Sequence, residues 1–448
     1  MNVYYFATVF AGLLPGLITG IYEAWTSVYI PKLINENSVT HSDGSWITVS
    51  LCVGGVTGAL IYFLLFDKLG RKQLLLTTAI PFLVSPLMLA YGNSIAVFCT
   101  ARFIAGIGIA GYCTTIPQFF GEIAHETVRG ALSTWIFIMQ IFGMLFINVI
   151  GSYLSIKISS FIIFGFGVVF LVLFIWFVES PYFLIMRGRN HEATKSLQIF
   201  RNKNDVDVDF KRISQTVAKQ IENKGQFLDL FRIKSNRRAL MILFIAVNAK
   251  QLTGDFTFDT YSQTIFNQLC DISPMMFAVI FYSAKLVVIF FSSYFIDKIG
   301  RRPTFLISLF TSGVIFLIIA AYLHVSLHTD LIITEFIKKI MIFVMVCFTI
   351  FYSLLLAVPC MLVGELFPIN MKAFVSLLFV LHFFIVSFAT TKLFQVITDC
   401  EFLGMDVAFF AYSISCFVHF LLVYKFLFET KGKTLEAIQI ELHNMSAI

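Results

Sequence analysis

Charge is what this chain has least of. Asp, Glu, Lys and Arg make up 13% of its 448 residues, against about 25% in a soluble globular domain. With 58% hydrophobic residues and 53 phenylalanines, too little polar surface remains for an ordinary water-soluble fold. No run of segments alternates apolar and polar residues with period 2, so a membrane β-barrel is excluded. No nucleophile–base set or phosphate-cradling loop occurs, which argues against an enzyme. No cofactor is expected, and no Cys/His cluster shows zinc spacing among the eight cysteines. The opening "MNVYYFATVF" has no basic segment of the secretory-leader kind and runs straight into apolar sequence.

What the chain does have is apolar runs. They fall at roughly 5–30, 46–66, 73–93, 95–119, 130–153, 158–178, 238–268, 274–296, 304–325, 336–364, 373–397 and 402–427. Each is long enough to cross a bilayer, which takes about 20 apolar residues. In lipid the backbone must satisfy its own hydrogen bonds, so with barrels excluded the runs read as helices. The predicted class is an all-α membrane protein with the lipid bilayer as its solvent.

The net charge of +6 suggests nucleic acid only until its placement is read. With both termini on the cytoplasmic side, only Lys32, Lys157, Lys338, Lys339 and Lys392 fall outside, and Arg102, Lys250 and Lys285 fall within helices. The remaining Lys and Arg are cytoplasmic, as the positive-inside rule requires. A long polar stretch, 179–237, divides the chain into a first bundle of helices (1–178) and a second (238–427), with a tail at 428–448. Within the stretch, "NHEATKSLQIFR" and "DVDVDFKRISQTVAKQIEN" have the spacing of short amphipathic helices. Cys270 and Cys400 fall near outer loops of the second half, where a disulfide is conceivable.

The two halves repeat. "FDKLGRKQLLL" matches "IDKIGRRPTFL", which pairs Asp67 with Asp297, Arg71 with Arg301 and Lys72 with Arg302. "GEIAHETVRG" matches "GELFPINMKA", each carrying a Glu followed seven positions later by a base: Glu122 with Arg129, and Glu365 with Lys372. "ESPYFL" starts at Glu179 and "ETKGKTL" at Glu429. All six motifs fall at the cytoplasmic side and in the same order. A solvated loop explains basic residues there, but not acids and bases recurring at matched spacing. They read as a gate whose ion pairs hold the cytoplasmic side shut, with Gly70 and Gly300 making the tight turns.

These motifs, together with "RFIAGIGIAG" and "KQLTG…YSQTIF", resemble the major facilitator superfamily, specifically its sugar porter family. The resemblance covers essentially the whole chain, and "YSQTIF" is most similar to insect facilitated trehalose transporters. It implies two six-helix bundles rocking about a central site, a small-molecule solute such as trehalose or a hexose as partner, a plasma-membrane location and a monomer. It also places Gln140 and Gln251 among the sugar contacts, Thr253 and Gly254 at the break in helix 7, and Tyr261 as the aromatic closing the outer side. The alternative for either glutamine is a plain helix–helix hydrogen bond.

Several positions depart from the family wording. Lys250 replaces the first helix 7 glutamine, Phe256 an asparagine, and Lys285 a neutral amide on helix 8. "LAVPCMLVGE" keeps Pro359 but has Cys360 nearby, and "HFF" occupies 382–384. Two lysines at bilayer depth will not stay unpaired, since an ion there costs at least about 2.5–3.5 kcal/mol. Asp255 and Asp259 lie one turn apart and can share a face with them; Glu23 is a third candidate partner. The cluster is either a buried ion-pair network or a binding site for substrate or a coupling proton. Proton-coupled members pair a helix 1 Asp with the helix 4 arginine. Arg102 is present, whereas Thr26 stands at the Asp position and Glu23 lies one turn earlier. Facilitated diffusion is the leading expectation. The alternatives are proton coupling, a charged or other polar solute, and a non-transporting nutrient sensor, against which the short tail counts.

Overall fold

A computed structural model describes residues 3–444 except 37, 67, 125–128, 204, 223–224, 270–271, 330–333, 357, 369–370, 401–402 and 434, and without the side chains of 129, 219–221, 293, 297 and 435. The first half contains α1 (Val3–Asn35), α2 (His41–Phe66), α3 (Arg71–Tyr91), α4 (Ile95–Ile123), α5 (Arg129–Tyr153) and α6 (Ile156–Ile175). Four short helices follow: α7 (Pro181–Met186), α8 (Asn190–Arg201), α9 (Asp207–Glu222) and α10 (Asp229–Arg232). The second half contains α11 (Lys234–Gln251), α12 (Asp255–Leu269), α13 (Pro274–Ile299), α14 (Arg301–His328), α15 (Glu335–Ser353), α16 (Val358–Leu366), α17 (Lys372–Asp399) and α18 (Met405–Phe426), and α19 (Leu435–Asn444) closes the described chain. Taking α11 with α12 and α15 with α16, 12 helical segments are long and apolar enough to cross a membrane.

The shortest crossing, α6, has 20 residues, which at 1.5 Å per residue spans about 30 Å, the thickness of a hydrocarbon core. Leu64, Ile80, Phe290, Phe343 and Leu421 are exposed. Burial in protein does not account for their apolarity; lipid does. Among neighbouring helices, α2 lies on α4, α1 on α5 and α3 on α6; in the second half α14 lies on α18 and α13 on α15. The closest approaches rest on small residues, as is usual between helices in lipid. A Cβ on Gly20 would stand 1.8 Å from the Gln140 carbonyl oxygen, and one on Gly143 would stand 2.1 Å from that of Leu17. That contact holds α1 and α5 together beside the central crossing.

Across the halves, α1 meets α12, α2 meets α17, and α5 meets α13. Two crossings are broken at mid-depth. Between α11 and α12, residues 252–254 form a turn, and Gly254 takes φ +86°. A Cβ there would also sit 2.8 Å from the Tyr412 ring, so the break needs glycine for both its dihedral and its space. Between α15 and α16 the helix stops after Ser353 and resumes at Val358, with Pro359 in its first turn. Both breaks lie in the second half.

Candidate functional site

The break after α11 ends one helix and starts another beside the molecular centre, and charged side chains gather there. Lys250 Nζ lies 3.2 Å from Asp255 Oδ2. Lys285, on α13, lies 3.2 Å from each Asp259 oxygen and 3.9 Å from Asp255 Oδ1. Asp259 also accepts from the Tyr282 hydroxyl at 3.3 Å. On the opposing half, Gln140 of α5 donates to Glu23 Oε2 of α1 at 2.6 Å. Lys285 and Asp259 have side chains 3% and 6% exposed, so water contributes little to holding their charges. Their stabilisation must come from each other.

Glu23, Gln140, Lys250, Asp255, Asp259 and Lys285 line one cavity with Phe137, Phe256 and Phe383. The Lys250 ammonium sits 5.3 Å over the Phe383 ring, a cation–π contact. The open volume is about 30 Å³, room for one or two waters. Gln251, the last residue of α11, and Thr253, in the break, are buried and do not line this cavity. Thr253 donates to the Lys250 carbonyl at 2.7 Å. Gln251 is buried, and neither side-chain amide atom has a partner among the described residues. From α17, His382 shares a 2.8 Å hydrogen bond with Asn248 and stacks on Phe244. The "HFF" stretch thus supplies a cavity wall in Phe383 and a clamp on α11 in His382.

Arg102 is fully buried on α4. It donates to the Tyr22 carbonyl and sits 5.7 Å from the Trp25 ring. Among the described residues it makes no ion pair with a carboxylate, and its Nε and Nη2 have no hydrogen-bond partner. Thr26 instead reaches across the halves, donating to the Thr260 carbonyl at 3.4 Å. Further bonds join the halves at this level. Ser27 and Ser262 hydroxyls lie 2.7 Å apart, Gln263 donates to Ser27 at 2.9 Å, and its amide donates to Asn148 at 3.1 Å. Beyond this seal lies a vestibule of about 480 Å³ lined by Tyr261, Phe394 and Gln395. Tyr261 bends α12 at φ −118°, ψ 17°, with its ring centroid 5.3 Å from that of Phe394. Cys113 of α4 and Cys360 of α16 approach Lys250 from the two halves, each with an exposed side chain.

The repeated motifs form matching assemblies at the opposite end from the vestibule. Arg71 donates to Glu122 at 3.0 Å, Ser180 donates to the other Glu122 oxygen, and Glu179 accepts from the Lys72 and Ser180 amides at 2.9 and 2.8 Å. In the second half Arg301 donates to Glu365 at 3.1 Å, and Thr430 donates to the other Glu365 oxygen at 2.5 Å. Glu429 accepts from the Arg301 and Arg302 amides at 3.0 and 3.1 Å. Glu179 and Glu429 thus cap the N-termini of α3 and α14, satisfying amides the helices cannot satisfy themselves. Burial pushes the Glu179 carboxyl above its ordinary range, the two amide bonds oppose this, and nearby Glu122 adds to it.

Two details go beyond the sequence-based expectation. The described pairs lie within each half, Glu122 with Arg71 and Glu365 with Arg301. Ser180 and Thr430 join as hydroxyl partners that the sequence reading passed over, although each directly follows its Glu. Gly70 has an ordinary φ of −69°; glycine is required because a Cβ would stand 1.9 Å from the Glu179 carboxylate. At Gly300 both reasons apply, with φ +110° and Glu429 2.5 Å away. Asp67 and Cys270 lie outside the described residues, as do the side chains of Arg129 and Asp297; Lys372 begins α17.

A model of the family described as "Sugar (and other) transporter" matches residues 4–442. The chain belongs to this family. Among curated proteins it is similar to the facilitated trehalose transporter Tret1 of Drosophila pseudoobscura pseudoobscura, 26% identical over 452 residues, covering 98% of this chain and 51% of that one. The Tret1 of Culex quinquefasciatus is likewise 26% identical, covering 97% and 85%. The chain thus spans about half the length of several of the curated relatives it matches. Among solved structures, a partially occluded inward-open form of the xylose transporter XylE from E. coli superposes with TM-score 0.80 at 18% identity, covering 97% of this chain and 100% of that one. A XylE structure described as a major facilitator superfamily proton:xylose symporter superposes with TM-score 0.79. This sugar transporter family chain therefore has the major facilitator fold and is a multi-pass membrane protein.

Proposed function

We propose that the chain carries a small polar solute, foremost a sugar such as trehalose or a hexose, across the membrane by alternating access. The observation that carries this reading is the cavity at the seam of the two repeats. Donors, acceptors and aromatic faces converge there from both halves, which suits a polyhydroxylated ring. One side of that cavity is sealed by Thr26, Ser27, Asn148, Thr260, Ser262 and Gln263, while Cys113 and Cys360 on the motif side have exposed side chains. With the basic motifs at the cytoplasmic side of the plasma membrane and both termini inside, this is an inward-facing, nearly occluded state. A cavity of about 30 Å³ must widen to admit a sugar, which the rocking of two repeat halves about a shared site supplies.

Facilitated diffusion is the mode we assign. The position of the helix 1 carboxylate is taken by Thr26, which serves the seal, and Arg102 has no described carboxylate partner. A second reading takes a charged solute, supported by the ions that line the cavity. The full-length chain reconstituted in liposomes decides between them. Labelled trehalose and glucose should enter, saturably and without a pH gradient. Uptake of a charged solute alone favours the second reading, and uptake of neither group overturns both.

A further inference from the structure

At the vestibule end of the second half, away from the cavity, His324 and His328 occupy the last two turns of α14 and face Asp406 in the first turn of α18. His324 Nδ1 lies 2.8 Å from Asp406 Oδ2, and His328 Nε2 lies 3.4 Å from the same oxygen. All three ligand atoms fall within 4.8 Å of one another. The imidazole centroids are 4.7 Å apart. We propose that His324, His328 and Asp406 form a binding site for a divalent transition metal, zinc in the first instance, that staples α14 to α18.

The donor set suits the metal. Zinc takes imidazole nitrogen and carboxylate oxygen at about 2.0–2.2 Å, with three protein ligands and an open fourth position in many sites. Histidines four residues apart on a helix present their rings to one side. The two nitrogens and the carboxylate oxygen lie close enough together for one ion to reach all three. Hydrogen bonding alone leaves the acid incompletely satisfied: Asp406 is 1% exposed, yet its Oδ1 has no hydrogen-bond partner among the described residues. The chain also makes room for that oxygen, since a Cβ on Gly404 would stand 2.5 Å from it. Both histidines are exposed, so they can turn onto an ion arriving from water. The sequence hides the site because its acid lies 82 residues from His324.

Both helices belong to one half, so the metal stabilises that half without bridging the moving seam. A ligand that binds only the folded state raises its stability by mass action. The test uses the full chain in detergent, without a polyhistidine tag. Zinc chloride should raise the thermal midpoint by several degrees where magnesium chloride does not, and equilibrium dialysis should find a bound zinc that is lost in the variant. The His324→Ala/His328→Ala variant changes exposed side chains and should fold with the wild-type midpoint in metal-free buffer, yet lose the shift. Asp406→Asn tests the third ligand; if it does not fold, the histidine variant decides alone. An equal zinc shift in the histidine variant overturns the proposal. So does a wild-type chain that ignores zinc and responds only to pH, which would make the cluster a proton-sensitive ion pair.

Discussion

Lys285→Met is the substitution that most directly probes how the central charges are held. Met keeps most of the volume of the lysine stem and removes its charge. Lys285 is then lost to Asp259, whose side chain is 6% exposed and whose remaining described partner is the Tyr282 hydroxyl at 3.3 Å. Removing one member of a buried ion pair typically costs about 3–5 kcal/mol, because the other charge stays behind without compensation. At most about 2 °C of melting temperature is lost per kcal/mol in a chain this long. The midpoint should therefore fall by up to ~10 °C, read by scanning fluorimetry of purified protein. Asp259→Leu should cost less, because Lys285 keeps Asp255 at 3.9 Å. The double variant should recover most of the loss, since no buried charge is then orphaned. This double-mutant cycle isolates the pair term. If each single variant costs less than about 1 kcal/mol, or if the double variant loses the sum of both, the pair is not what holds these charges. Transport adds a second readout. A double variant that is stable but no longer transports assigns the ions to the solute rather than to the scaffold.

We predict that Arg71→Ala and Arg301→Ala each lower uptake severalfold at unchanged surface level; normal uptake at matched level would remove these ion pairs from the gating cycle. Uptake should be flat across external pH in the wild type and in Glu23→Gln. A rise with acidity that Glu23→Gln abolishes would show proton coupling instead. A thiol reagent that does not cross membranes should modify Cys113 and Cys360 from the motif side and be slowed by transported solute; modification from the vestibule side alone would reverse the assigned state. Glu179 has a folded-state pKa raised by burial, so its contribution to stability is fully present below its unfolded pKa and is lost as pH rises through the folded one. Relative to wild type, Glu179→Gln should therefore gain stability as pH rises through that acid window. A difference that does not vary with pH there would contradict the burial argument.

The fold was legible because its causes are periodic. Apolar length predicts crossings, and 12 helical segments are long and apolar enough to make them. The matched motifs predict a repeat, and in the structure they make matching assemblies. Pairing was less legible. Glu122 finds Arg71 across 51 positions of chain, a neighbour set by how α3 lies against α4, and no linear spacing encodes that. In the same way Asp255 and Asp259 could be placed on one face from their separation of four, but which lysine meets which acid depends on the turn at 252–254. Gly70 shows the limit of local reasoning. Its turn needs no unusual dihedral, and the demand for glycine comes from a carboxylate that arrives from residue 179. Lys250 and Lys285 were recognisable from their cost in lipid, which any solution must offset by partners close at hand.

One consequence of the central cluster is electrical. Glu23, Asp255 and Asp259 contribute three negative charges when ionised, and Lys250, Lys285 and Arg102 contribute three positive ones. With all three acids ionised the core has no net charge for the membrane potential to act on, so an empty carrier in that state should return across the membrane at a rate independent of voltage. Each elementary charge moved through 100 mV is otherwise worth about 2.3 kcal/mol. Any current during transport then counts the charge on the passenger. Recorded on a supported membrane, a silent carrier moving labelled solute identifies a neutral cargo, and a current proportional to flux identifies an ionic one.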